Sequence, residues 1–217
     1  MSAHSISLGR PNKQLLTNQL PGIITALKKT LTNAFTIPAL SLCLIISSAN
    51  VYAGPKVLFK TTKGDFVVEL EPEKAPKTVE NFLNYVNTNF YTGTIFHRVI
   101  NGFMIQGGGF TKELQEKPTK PPIPSESQNG LKNSKYTIAM ARTNNPDSAT
   151  AQFFINVRDN AMLDYPSRDG FGYTVFGKVI SGFETVENIK FAPTTVMNRM
   201  ADVPSEPIVI QSATVQK

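Results

Sequence analysis

The sequence predicts a mainly β domain, in which a closed antiparallel barrel is capped by two helices. Two observations lead to this prediction. Short runs rich in Val, Ile, Phe and Thr recur between turn-forming residues, as expected for many short strands. Only two segments, one after Pro76 and one over 182–190, have the character of helices. Many short strands with two helices favour a barrel whose ends the helices cover.

The predicted elements begin with a hairpin over residues 56–62 and 64–70, with Lys63-Gly64 as its turn. Pro76 suits a helix start, and apolar side chains then recur at positions i, i+3, i+4 and i+7 from Val79. The remaining predicted strands are 94–100, 103–106, 137–141, 153–157, 173–179 and 208–215. The glycine- and proline-rich stretch 107–134 is predicted to be a long loop, a feature more often functional or mobile than incidental.

The first 53 residues differ from the rest of the chain. They contain four basic residues, no acidic residue, an apolar run over 34–46 and then small residues up to Ala53. This order is typical of a secretory signal peptide, so we expect cleavage after Ala53. The apolar run is shorter than the ~20 residues of a membrane span and contains Pro38. We therefore expect an exported mature domain, residues 54–217, that is not embedded in a membrane.

Two alternatives for this leader stay open. Translation could start further in, near Leu27, which would give a compact basic region at Lys28-Lys29. Acylation of Cys43 is disfavoured, because lipoprotein signals place a small residue where this chain has Leu42.

The composition of the mature part excludes several classes of function. Removing the four basic leader residues from the chain's 22 leaves 18 basic against 16 acidic residues, a net charge of +2, so nothing indicates nucleic-acid binding. Residues 54–217 contain no cysteine and one histidine, His97, which excludes both a disulfide and a zinc site built from Cys and His. We expect no metal and no cofactor.

The segment 96–108 carries most of the chemical information. Arg98 is a permanent cation with five donors in a rigid plane, and it lies among apolar neighbours rather than in a polar stretch. Strand alternation predicts that Phe96, Arg98 and Ile100 share one face and that His97 points the other way. His97 has no nucleophile to serve, so we interpret it as a structural residue rather than a general base.

The other candidate residues are apolar or neutral. Phe103, Met104 and Phe154 fit a core as well as a pocket. Gln106 shares strand parity with Met104, and a buried amide among apolar residues needs hydrogen-bond partners, which a peptide backbone would supply. The three glycines from Gly107 lack the lysine and the hydroxyl of a phosphate-binding loop, and the chain lacks a hydrolase nucleophile motif.

Several motifs together resemble the cyclophilin family of peptidyl-prolyl cis-trans isomerases over about residues 56–215. They are KTVENF (77–82), FHRVI (96–100), GFMIQGG (102–108), QFFI (152–155) and VFGKV (175–179). IAMAR (138–142) and the proline-rich segment before Asn129 resemble the bacterial periplasmic branch, in agreement with the leader. The resemblance implies an eight-stranded barrel capped by two helices.

The resemblance also implies a function and a site. It implies an isomerase that acts on X-Pro bonds of unfolded or flexible secreted proteins in the periplasm, with Arg98 as the catalytic cation. The residues that it implies for substrate binding are Phe103, Met104, Gln106, Ala141, Arg142, Phe154, Met162, Leu163 and Tyr173. A non-catalytic module that binds proline segments, as a chaperone would, is the alternative. We expect a monomer, because one barrel closes its own core.

Four residues depart from the pattern common in this family. Asn101 replaces a common proline in a turn, and because asparagine suits turns we expect little effect. Arg142 replaces a frequent asparagine, in a contact that the family makes mostly through the backbone. Met162 stands where many members have tryptophan, so we expect only weak cyclosporin binding. Tyr173 stands where others have histidine, which changes the rim of the pocket.

Overall fold

The computed structural model describes residues 54–216. The predicted leader, residues 1–53, lies outside this range. The ten strands are β1 (Lys56–Thr61), β2 (Gly64–Leu70), β3 (Thr94–Ile100), β4 (Met104–Thr111), β5 (Thr137–Met140), β6 (Phe153–Asn156), β7 (Val175–Ser181), β8 (Thr194–Met197), β9 (Met200–Pro204) and β10 (Ile210–Gln216). The helices are α1 (Pro76–Asn87), α2 (Phe183–Lys190) and a 3-10 turn at Ala161–Leu163. Among these residues no helix is long and apolar enough to cross a membrane.

Eight of the strands form one antiparallel sheet in the order β10-β1-β2-β7-β5-β6-β4-β3, which confirms the predicted mainly β architecture with two α-helices. The sheet curls until its edge strands approach each other. There the Gly93 amide donates to the Ile210 carbonyl at 2.8 Å and the Phe96 amide to the Ile208 carbonyl at 3.0 Å. An isolated bridge between Ile95 and Val209 adds to this seam. Because no continuous ladder joins β3 to β10, the barrel is less completely closed than predicted.

Aromatic side chains fill the interior of the barrel. Phe59 and Phe66 stack with ring centroids 4.8 Å apart, and Phe153 lies 5.5 Å from Phe59. Phe82 of α1 meets the edge of Phe153 at 5.9 Å, which seals one end of the barrel. All four rings are almost fully buried, and such pairs add about 0.5–1.5 kcal/mol beyond the area that they bury.

The long loop supplies the N-terminal cap of α1. Ala75 precedes the helix and has no side chain that can accept a hydrogen bond, although Pro76 suits the first position. The Glu126 carboxylate instead accepts hydrogen bonds from the Lys77 amide at 3.1 Å and from the Thr78 amide at 2.9 Å. A carboxylate at this end also complements the helix dipole. The loop is thereby fixed to the helix that closes the barrel.

Two elements differ from the sequence-based expectation. Strand β4 continues through the three glycines to Thr111, so the predicted loop begins later than residue 107. Gly108 has φ +81°, and a Cβ there would lie 2.8 Å from the rings of Tyr91 and Phe153, so the close packing of this strand on the core requires glycine. The β8–β9 hairpin was not predicted, because its exposed, mixed sequence has no clear alternation.

His97 is buried, which agrees with its interpretation as a structural residue. Its ring packs on Phe110 with centroids 4.6 Å apart, and only 3% of the residue is exposed. Among the described residues, no partner hydrogen-bonds its Nδ1. The pKa of His97 is lowered from 6.5 to about 4, mainly because the ring is buried; the nearby charge of Arg98 acts in the same direction, and hydrogen bonding with Ile95 and Gln152 opposes both. The neutral imidazole therefore persists in the native protein at mildly acidic pH.

We expect the free energy of unfolding to decrease as the pH falls from about 6.5 to about 4, because the unfolded chain then protonates His97 and the native protein does not. At ~1.4 kcal/mol per pKa unit, the loss is at most ~3 kcal/mol. Urea unfolding of the wild type and His97→Gln between about pH 7.5 and pH 4.5 measures this loss. The difference between the two proteins isolates His97 from the carboxylates, and equal pH slopes would contradict the assignment.

Candidate functional site

A cavity of about 300 Å³ opens on the outer face of the barrel, on the side of β4 and β6 that is turned away from the core. Its floor exists because side chains alternate along a strand. Phe153 and Ile155 enter the barrel core, whereas Phe154 belongs to a separate apolar cluster with Met104. The cavity, called the Arg98 cavity below, is lined by Arg98, Phe103, Met104, Gln106, Ala141, Arg142, Phe154, Leu163 and Tyr173.

The structure thus brings together nine of the ten residues that the sequence predicted for the site. The exception is Met162, whose surface is 66% exposed. Met162 lies on a neighbouring depression that shares Leu163 and Tyr173 with the Arg98 cavity. In the 3-10 helix, consecutive side chains point in different directions. Leu163 therefore faces the Arg98 cavity, while Met162 faces outward.

A β-bulge in β3 places Arg98 at the cavity. Phe96 pairs with Gly107 and Arg98 pairs with Gln106. The pairing therefore moves by two residues along β3 but by only one along β4. Phe96 consequently lies in the barrel core, whereas Arg98 lines the cavity. The prediction that Phe96 and Arg98 share a face is therefore wrong, because strict alternation does not hold across a bulge.

The unpredicted hairpin reaches the guanidinium of Arg98. Arg98 Nε lies 3.9 Å from Oδ2 of Asp202 on β9, and both side chains are about two-fifths exposed. Ion pairs with this exposure contribute about 0–1 kcal/mol, so the contact orients the guanidinium more than it stabilises the fold. Asp202 has φ 62°, a left-handed conformation that aspartate adopts more readily than most residues.

Gln106 is held by a chain of polar side chains. Its Nε2 donates to Gln152 Oε1 at 3.0 Å, and Gln152 Nε2 donates to Glu116 Oε1 at 3.3 Å. Arg98 and Gln106 are direct cross-strand partners, so both polar groups project at the same level of the cavity. The sequence did not single out Gln152 or Glu116, although Gln152 lies in one of the motifs that indicated the family.

The opposite wall of the cavity is apolar and closely packed. Met104 and Phe154 are 2% and 4% exposed, and the ring of Tyr173 meets the ring of Phe154 edge-on at 5.7 Å. Phe103 and Leu163 pack against them from the two sides. The Ala141 amide donates to the Gln152 carbonyl at 3.0 Å, which fixes the end of β5 beside the cavity. A permanent cation and a fixed amide thus face an apolar hollow.

This arrangement favours binding and polarisation over bond cleavage. The residues around the cavity include no Ser or Cys paired with a base, and His97 is buried and neutral. Within residues 54–216, no three His, Cys, Asp or Glu side chains cluster closely enough to hold a metal ion. What the lining residues offer is electrostatic: the charge of Arg98 can stabilise a dipole or lone pair of a ligand seated in the hollow.

Comparisons with known proteins agree with this site. Residues 56–215 match the family described as cyclophilin-type peptidyl-prolyl cis-trans isomerase/CLD. The chain is 50% identical over 184 residues to peptidyl-prolyl cis-trans isomerase A of Dickeya dadantii, covering 85% of this chain and 96% of that one. It is 56% identical over 159 residues to peptidyl-prolyl cis-trans isomerase cyp18 of Streptomyces antibioticus, covering 72% of this chain and 96% of that one.

The fold is similar to solved structures as well. A crystal structure of a cyclophilin-type peptidyl-prolyl cis-trans isomerase from Cryptosporidium parvum superimposes with a TM-score of 0.62 at 28% identity. The match covers 75% of this chain and 98% of that one.

Proposed function

The chain belongs to the cyclophilin-type peptidyl-prolyl cis-trans isomerase family, and we propose that it isomerises X-Pro bonds in the Arg98 cavity. The isomerase activity on proline-containing polypeptides follows from family membership and from relatives named as such isomerases at 50–56% identity. The proposal concerns the residues that carry it out. The observation that carries the proposal is a permanent cation at the edge of an apolar hollow large enough for a proline ring.

The barrier to this reaction is electronic. The peptide C–N bond has partial double-bond character, which sets a rotational barrier of ~18–20 kcal/mol. An unaided X-Pro bond interconverts over tens to hundreds of seconds. When the bond twists, conjugation is lost and the lone pair localises on the prolyl nitrogen. A catalyst needs only to favour the twisted state over both planar states, with no bond made or broken.

Arg98 supplies the interaction that is specific to the twisted state. Its guanidinium is charged at every physiological pH and donates through several N–H groups at once. A hydrogen bond to the prolyl nitrogen is strong only when the lone pair is localised, so the contact stabilises the transition state more than the bound substrate. A proline ring seated against the apolar wall of Met104 and Phe154 displaces water from the hollow, which strengthens the field of the charge.

The remaining residues hold the substrate while one half of it turns. Phe103, Phe154 and Leu163 enclose the proline ring, and Gln106 hydrogen-bonds the backbone of the peptide. Gln106 is already oriented by Gln152, so little side-chain entropy is lost on binding. The alternative, a module that only binds proline segments, is not favoured, because the chain retains the cation and its relatives are named isomerases.

We extend the proposal to the path and properties of the mature protein. The basic, apolar and small residues of 1–53 support cleavage after Ala53 and export to the periplasm, where folding chains with X-Pro bonds would be the substrates. A single barrel with its own core supports a monomer. The exposed position of Met162, where a large donor-bearing ring is absent, supports weak binding of cyclosporin.

Arg98→Ala is expected to lower kcat/KM for an X-Pro peptide by about 100-fold or more, the usual loss when one preorganised donor is removed. Arg98→Lys is also expected to lower kcat/KM substantially, because a compact ammonium does not reproduce the planar guanidinium. A coupled peptide assay measures both variants. Arg158→Ala, an exposed arginine outside the cavity, is the matched control. Full activity of a folded Arg98→Ala protein would refute the role of Arg98.

Expression of the full chain in a bacterium with two membranes is expected to give a periplasmic product whose first residue is Gly54. Mass spectrometry of the purified product, with separation of periplasmic and cytoplasmic fractions, measures both points. A cytoplasmic product that retains residues 1–53 would refute the leader.

A further inference from the structure

Arg142 is a charged side chain that is almost fully buried, with 4% of its side-chain surface exposed. A guanidinium in such a position must satisfy its donors within the protein. Its Nε donates to the Gly172 carbonyl at 2.9 Å, its Nη1 to the Thr143 carbonyl at 2.9 Å and its Nη2 to Asp169 Oδ2 at 2.6 Å. Two of these three acceptors belong to residues 164–172, which we call the rim loop.

Arg142 also connects the rim loop to the wall of the Arg98 cavity. Its guanidinium lies over the ring of Tyr173 at 4.4 Å from the centroid. The Tyr173 ring in turn meets Phe154 edge-on. Guanidinium stacking of this kind is stronger when the pair is shielded from water, as it is for the nearly buried side chain of Arg142. The charge of Arg142 therefore fixes the ring that forms one wall of the hollow.

Asp169 is the matching group on the rim loop. Its Oδ1 accepts hydrogen bonds from the Ser167 hydroxyl at 2.5 Å and from the Phe171 amide at 3.1 Å. Its Oδ2 accepts the hydrogen bond from Nη2 of Arg142. These hydrogen bonds, together with Arg142, hold the pKa of Asp169 well below its usual range. The middle of the loop is thus folded around one carboxylate, and Arg142 ties that carboxylate to the barrel.

The rest of the rim loop has few other means of staying in place. It contains no strand or helix, and its large apolar side chains Tyr165 and Phe171 are 39% and 44% exposed. Two hydrogen bonds fix the base of the loop, where it leaves and rejoins the barrel. Asp164 Oδ1 accepts one from the Asn133 amide at 2.7 Å, and the Tyr173 amide donates the other to the Leu163 carbonyl at 2.9 Å. Beyond this base, the loop is held by the bonds from Arg142 and by the Ser127 hydroxyl, which donates to the Phe171 carbonyl at 3.2 Å.

We propose that the side chain of Arg142 is a positioning residue, which with Asp169 clamps the rim loop and Tyr173 so that the hollow is formed before substrate binds. The inference rests on the proposed function of the Arg98 cavity and adds a role for the side chain at a position where the family resemblance implies mostly backbone contacts. A preformed wall raises affinity, because a site that is competent for only a fraction of the time binds more weakly by that fraction. It does not act on the twisted bond itself.

The clamp predicts a specific kinetic signature. Arg142→Lys keeps the charge but loses the planar fork and the stacked face, and Asp169→Asn keeps the size but loses the charge. Each variant should raise KM about 5–10-fold and leave kcat within about 2-fold, because substrate and transition state are weakened equally. The KM of the double variant should be no higher than that of the single variant with the higher KM, because both substitutions break the same contact.

Two measurements on the full mature domain test this. Exchange NMR on an Ala-Pro-containing peptide gives KM and kcat separately for the wild type, the two single variants and the double variant. Amide hydrogen exchange gives the protection of the Phe171 amide, which should fall at least 10-fold in both single variants while the barrel strands keep their protection. Arg158→Lys, the same change at an exposed arginine, should alter neither quantity.

The outcomes separate this inference from the proposed function. Unchanged KM in Asp169→Asn, a change at a side chain that is 44% exposed, would overturn the clamp even if Arg142→Lys failed to fold. A fall in kcat at constant KM would also overturn it, since that would give Arg142 a part in the transition state. A wild-type protein that does not accelerate X-Pro exchange would instead refute the proposed function of the cavity.

Discussion

The proposed mechanism depends on one electrostatic interaction, between the guanidinium of Arg98 and the lone pair that appears on a prolyl nitrogen when the peptide bond twists. The strength of such an interaction depends on its surroundings, since a charge acts more strongly beside an apolar, water-poor wall than in bulk water. Met104 and Phe154 form such a wall opposite Arg98. Each ~1.4 kcal/mol gained in the twisted state accelerates the reaction tenfold, so a modest difference between states suffices.

Much of the architecture serves to hold that charge and that wall in a fixed relation. The bulge in β3 turns Arg98 out of the core, and Asp202 of the β8–β9 hairpin lies beside its Nε. The Gln106–Gln152 hydrogen bond orients a neutral amide at the same level. On the far side, Arg142 and Asp169 tie the rim loop to the barrel. Each of these polar groups lies beside a partner within the protein, which supports the proposal that the site is preorganised rather than assembled around its ligand.

The sequence was sufficient to predict the strands and helices whose apolar residues recur with a clear period. The β1–β2 hairpin, the amphipathic helix after Pro76 and strand β3 all follow from local pattern, because burial on one face imposes a period of two or 3.6. The bulge at Phe96 and the hairpin that carries Asp202 did not follow, because neither leaves a periodic signal. Strict alternation therefore assigned Phe96 to the wrong face.

The residues of the site were identified from the sequence in two ways. Arg98 was notable from its own sequence, as a cation among apolar neighbours, whereas Leu163 and Tyr173 entered only through the family resemblance. Met162 entered in the same way, but it lies outside the Arg98 cavity because the 3-10 turn directs it outward. Long-range partners such as Gln152 with Gln106, or Asp169 with Arg142, depend on the closed tertiary structure and have no local signal.

The central claim is that Arg98 acts on the twisted peptide bond and not on the bound peptide as such. Exchange NMR under saturating peptide gives the interconversion rate on the enzyme, and titration of the same sample gives the dissociation constant. For Arg98→Ala, the account predicts an interconversion rate lower by about 100-fold with a dissociation constant within about 3-fold of the wild type. A variant that binds the peptide far more weakly yet interconverts it at the wild-type rate once bound would contradict the account.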